Sequence, residues 1–129
     1  MKPVQTRVLL GWAALLGFSA VAAGAFGAHG VSDPRVRGWL QTGGEYGMIH
    51  ALATITAVLL ARAGGKGAGA AGWAFVIGGT IFSGSLYAMA LTGLLWLGAV
   101  TPIGGLSLLF GWGLLSWAGL RFSAADASA

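Results

Sequence analysis

Four apolar runs of similar length follow one another along the chain, at residues 8–28, 39–61, 72–92 and 102–120. The first carries no charge, and the second is interrupted only by Glu45 near its start. Each is close to the ~20 residues an α-helix needs to cross ~30 Å of hydrocarbon. The connections, residues 29–38, 62–71 and 93–101, are too short to hold another domain. The pattern predicts one all-α membrane domain over residues 1–129, with four transmembrane helices in a compact glycine-rich bundle. Residues 121–129, "RFSAADASA", read as a flexible tail.

Polar positions inside the runs are the informative ones, because burying them is costly without partners. Thr42, Tyr46, His50 and Thr54 recur every four residues in the second run. Each step turns the helix by ~40°, so they form a slowly winding stripe. Thr80, Ser83 and Tyr87 make a second stripe in the third run, with Gly84 among them. Facing each other, the stripes would supply hydrogen bonds that fix packing and register. The alternative is a polar pocket or proton path between the second and third helices.

Small residues mark where backbones can approach. Glycine occupies 24 positions without a collagen-like period. In membranes, where lipid is as apolar as the helices, close approach of this kind drives association. The first run presents Gly17, Ala20, Gly24 and Ala28 at helical spacing, and Gly27, Gly84, Gly104 and Gly105 are further packing candidates. The basic start and the small residues of "AVAAGA" resemble a secretory signal. The run is longer than a signal core of 7–15 residues and has a packing stripe, so a retained helix is expected.

Helix starts are also legible. In "SDPR", Ser32 or Asp33 can cap and Pro34 fits the first turn. In "TPIGG", Thr101 is the expected cap and Pro102 the first helical residue, with Trp96 anchoring the uncharged connection before them at the interface.

Composition removes the soluble alternatives. The chain is 57% hydrophobic and 8% charged, against about 25% charged in soluble domains, and its mean hydropathy is +0.82. The net charge of +4 and pI near 10.4 do not point to nucleic acid, since the basic residues stand singly between apolar runs. They read as topology signals. Lys2, Arg7, Arg62, Lys66 and Arg121 fall on one side of a four-span protein, and Arg35 and Arg37 on the other. That asymmetry places both termini in the cytoplasm. Without cysteine, disulfides, thiolate metal sites and cysteine nucleophiles are excluded.

His29 ends the first run and Glu45 opens the second, at similar depth. They are expected to form a clasp between adjacent helices, the glycines of "GAFGAHG" giving the loop its turn. His29 is expected to touch the start of the second helix or residues 101–105. Two histidines and a glutamate could in principle hold zinc, but Glu45 and His50 lie ~140° apart on a helix. No metal site, cofactor or catalytic residue is assigned. No phosphate loop or hydrolase elbow is present.

Four ordered blocks, "GAFGAHG", "YGMIHAL", "IFSGSLYAMALTG" and "LGAVTPIGGLSLLFGW", resemble the small bacterial inner-membrane family of unknown function that includes YgdD and YwdK, domain of unknown function 423. The likeness spans roughly residues 8–120. It implies a four-helix inner-membrane protein and brings no established reaction. The motif positions it carries over are Gly24, Gly27, His29, Gly30, Tyr46, His50, Ser83, Gly84, Ser85, Tyr87, Thr92, Gly93, Thr101, Pro102, Gly104 and Gly105. Many members have glutamine where this chain has Glu45, so the likeness implies no required carboxylate there. The candidate polar cluster is therefore His29, Glu45, Tyr46, His50, Ser83, Ser85, Tyr87 and Thr101. The expected role is that of a non-enzymatic accessory or structural membrane protein. Its partners would be the lipid bilayer and other membrane proteins or further copies of itself. A small transporter or channel is the alternative. A membrane enzyme or lipid-binding protein, using His29, His50 and Tyr87 in one cavity, is a further one.

Overall fold

A computed structural model describes residues 1–123 and residue 125. The expected tail from residue 124 onward lies outside the described residues, apart from residue 125. Four α-helices carry the apolar runs and extend past them: α1 (Pro3–His29), α2 (Pro34–Arg62), α3 (Ala68–Thr92) and α4 (Thr101–Arg121). The shortest has 21 residues, about 31 Å at 1.5 Å per residue, so each can span a bilayer. The all-α, four-helix membrane fold expected from the sequence is the fold of the chain.

The ends follow from local chemistry. The Asp33 carboxylate accepts a hydrogen bond from the Arg35 amide at 2.8 Å, and Pro34 occupies the first turn of α2, where its missing N–H costs nothing. Gly93 closes α3 in the left-handed region, φ 72°, which an L side chain rarely adopts. The next residues form a short 3₁₀ helix, Leu95–Ala99, that the sequence did not announce. It shifts the start of α4. Val100 is the N-cap and Thr101 is already helical, so the Thr101 hydroxyl is released from capping.

The helices pack in chain order. α1 lies on α2, α2 on α3 and α3 on α4, with a narrower α1–α3 contact and a slight α2–α4 one. α1 and α4 do not meet. Within the bundle α2 and α3 thus lie in the middle and α1 and α4 outside. The outer helices turn Leu15, Phe18, Val21, Leu106, Leu109 and Phe110 outward, as lipid-facing surfaces do.

Glycines set the helix separations, though not always the expected ones. A Cβ on Gly104 would come within 2.5 Å of the Phe82 amide nitrogen and 2.8 Å of the Gly78 carbonyl oxygen, so α3 and α4 touch backbone to backbone there. Gly27 leaves 3.1 Å for the Leu40 side chain. Gly44 faces the Ala20 carbonyl and Gly24, while Gly17 and Gly105 make only ordinary contacts. Gly84 faces open space beside Trp12 and Ser19 and packs against no helix. The buried line of α1 runs Ala13, Leu16, Ala20, Ala23 and Gly27, so of the stripe expected there only Ala20 is buried.

Candidate functional site

The buried polar groups of the second run come together with one side chain from the fourth. His50 is 4% exposed. Its Nδ1 lies 2.6 Å from the Tyr46 carbonyl oxygen, and its Nε2 lies 3.0 Å from the Trp112 indole nitrogen on α4. A carbonyl can only accept and an indole N–H can only donate. His50 is therefore the neutral tautomer with its proton on Nδ1, and both ring nitrogens are in use. Phe75 of α3 completes the pocket, with ring centroids 5.7 Å from His50 and 5.0 Å from Trp112. The Thr54 hydroxyl donates back to the His50 carbonyl at 2.7 Å.

The other candidates are distributed over separate seams. Ser83, fully buried, donates to the Gly43 carbonyl at 2.7 Å and ties α3 to α2. Tyr87 lies across Gly43 and Gly47, whose missing side chains make room for its ring. Both residues face α2, as their shared helix face predicts. The Tyr87 hydroxyl is buried among Ser83 and Ser19, and neither meets the geometry of a hydrogen bond to it. Ser85 points the other way, its hydroxyl 2.6 Å from that of Thr101, and joins α3 to α4. Tyr46, 42% exposed, stacks on Phe82 at 4.5 Å.

Three expectations need correction. His29 and Glu45 are both exposed, and no ion pair joins them or any other charges among the described residues. The clasp fails because α1 ends in a full turn whose last side chain points outward. The turn at Gly30 does not use glycine's conformational freedom either. Its φ is −104°, and a Cβ there would instead strike the Phe26 ring at 2.7 Å. Next, the space expected between α2 and α3 is filled by Ser83 and Tyr87 against Gly43 and Gly47. Finally, His29, His50 and Tyr87 do not share a cavity. His29 is exposed at a helix end, His50 is enclosed with Phe75 and Trp112, and Tyr87 lies against α2. Among the described residues no three histidine, cysteine or acidic side chains converge on a metal-sized site.

Sequence reasoning missed Trp112, Trp12 and Ser107. The Trp12 indole donates to the Thr80 hydroxyl at 2.7 Å, and Ser107 donates to the Ala74 carbonyl at 2.9 Å. The available signal was the indole itself. A tryptophan well inside an apolar run needs an acceptor for its N–H, and a histidine at matching depth can supply one.

Four membrane-length helices joined by hydrogen bonds between buried side chains and their neighbours define a multi-pass membrane protein. The chain belongs to the family described as protein of unknown function (DUF423), whose model matches residues 23–105. It is 40% identical over 122 residues to the UPF0382 inner membrane protein YgdD of Escherichia coli (strain K12), covering 92% of this chain and 93% of that one. It is 40% identical over 114 residues to a UPF0382 membrane protein of Haemophilus influenzae, covering 84% and 90%. With the UPF0382 membrane protein YwdK of Bacillus subtilis it shares 37% identity over 125 residues, 92% of this chain and 99% of the relative. No solved structure matches the chain.

Proposed function

We propose that this protein is a non-enzymatic accessory or structural component of the inner membrane. It acts by associating with other membrane proteins or with further copies of itself, and both its termini lie in the cytoplasm. The observation that carries this reading is the state of His50. The one buried imidazole holds Tyr46 on one side and Trp112 on the other, which leaves no ring nitrogen to take or deliver a proton. The hydroxyls of Ser83, Ser85, Thr101 and Ser107 likewise join neighbouring helices. The polar chemistry of the interior thus goes into holding the helices, and the broad outer faces of α1 and α4 are the surfaces left for association.

The orientation rests on charge. Met1 and Arg7 line one cleft with Arg62, and Lys66 lines another with Arg121, so the basic residues of both termini and of the α2–α3 connection gather at one end of the bundle. Such an excess favours the cytoplasmic side. Crosslinking in native membranes followed by purification in mild detergent tests the function. A specific crosslinked partner, or a defined homo-oligomer, is the expected result. A protein that stays monomeric and uncrosslinked at native abundance would refute it.

A further inference from the structure

We infer that the cleft between the α2–α3 connection and the end of α4 is a binding site for the phosphate of an anionic phospholipid headgroup, held by Lys66 and Arg121. The cleft has a volume of about 490 Å³ and is lined by Gly64, Lys66, Gly67, Leu114, Trp117 and Arg121. It brings two cations from distant parts of the chain to one space. Among the described residues no carboxylate neutralises either one, and the described acids, Asp33 and Glu45, sit toward the opposite end of the bundle.

An arginine braced by an indole occurs at both ends, Arg35 over Trp39 at 5.1 Å and Arg121 over Trp117, but of these two only Arg121 lines a cleft with a second cation. At the far end, the Arg37 guanidinium donates to the Val31 carbonyl at 2.7 Å and so serves the α1–α2 turn. At the cleft, Arg121 is braced by the Trp117 ring, its guanidinium carbon 5.0 Å from the centroid. That contact engages the face of the guanidinium and leaves its edge donors for a planar two-point grip on phosphate oxygens. Lys66, on the exposed connection, adds a compact charge that can swing onto the same group.

Depth and lining favour a lipid over a dissolved anion. Trp117 lies one turn before the end of α4, where indole rings settle at the membrane–water boundary. Leu114 lies a further turn toward the hydrocarbon and gives the cleft an apolar side. A molecule with phosphate above and acyl chains below matches that order. Basic pockets between helices at the cytoplasmic face recognise such headgroups. This inference does not depend on the accessory role and stands or falls separately.

The test is a lipid titration of the detergent-purified protein read by native mass spectrometry. It compares phosphatidylglycerol with phosphatidylcholine of the same acyl chains. The unaltered protein is expected to prefer phosphatidylglycerol. Each basic side chain near such a surface strengthens attraction roughly fivefold, so Lys66→Gln with Arg121→Gln should weaken phosphatidylglycerol binding roughly 25-fold. Arg35→Gln, at the other end, should change nothing. Equal binding of the two lipids by the unaltered protein overturns the inference, whatever the variants do. Loss of the preference on changing Arg7 and Arg62 instead would also overturn it, by moving the site to the other basic cleft. Millimolar inorganic phosphate should leave phosphatidylglycerol in place; its displacement would reassign the cleft to a soluble phosphate.

Discussion

The Trp112 indole donates to His50 Nε2 at 3.0 Å across 62 residues of sequence, and this bond is the main polar link between α2 and α4. Trp112→Phe keeps an aromatic ring beside Phe75 and removes the donor together with part of the indole's bulk. The expected loss is about 1–2 kcal/mol, since a buried acceptor is left unpaired. Combined with His50→Phe, the two changes should be less than additive, with a coupling of about 0.5–2 kcal/mol. Thermal unfolding of the four proteins in one detergent gives the cycle. Full additivity would mean that the bond contributes nothing.

Gly104→Ala and Gly84→Ala should behave oppositely. At Gly104 the new methyl meets the Phe82 and Gly78 backbones, which cannot rotate away. Separation of α3 from α4 should cost about 1–3 kcal/mol. At Gly84 nothing lies within 4 Å, and alanine favours the helix by up to about 1 kcal/mol. Melting temperatures of the two variants, one lowered and one unchanged or raised, check the pair.

Ser83→Ala and Tyr87→Phe each remove one hydroxyl from the same seam. The serine hydroxyl is bonded to Gly43, so its loss should cost about 0.5–1.5 kcal/mol. The tyrosine hydroxyl is buried without a partner, so its removal should be neutral or stabilising by up to about 1 kcal/mol. A strongly destabilised Tyr87→Phe would show that the phenol is bonded after all.

His29→Gln should leave stability within about 0.5 kcal/mol of the parent, because the ring is exposed and makes no hydrogen bond among those the structure records. Expression level and melting temperature together test this.

A reporter fused after Ala129 should be active only as a cytoplasmic reporter, given the basic residues gathered at that end. Activity confined to the outer side would invert the topology.

How far the sequence could be read depended on the kind of signal. Long apolar runs and the Asp33–Pro34 start gave the helices directly, because length and capping are local properties. Which face of each helix turns inward was harder. α1 is apolar or small on most sides, so Gly17, Ala20 and Gly24, which do lie against α2, could be read as a packing face, while the buried Ala23 and Gly27 beside them could not be told from lipid-facing neighbours. Pairings between helices were least visible. The stripe through Thr42, Tyr46, His50 and Thr54 winds out of the interior, so Thr42 and Tyr46 are exposed while His50 and Thr54 are buried. Ser83 and Ser85, two apart on one helix, necessarily serve different neighbours, Gly43 and Thr101. Nothing local distinguishes those destinations.

The chain-order packing of the helices bears on biogenesis. Each helix finds its main partner in the one synthesised just before it, so every docking step closes only a short connection and adds little entropic cost. A ribosome delivering α1 through α4 in turn presents each new helix with its main mate already in place. The Ser85–Thr101, Ser107–Ala74 and His50–Trp112 bonds all await the last helix, and of these three the last reaches past α3 to α2, which makes it the event that marks the completed protein.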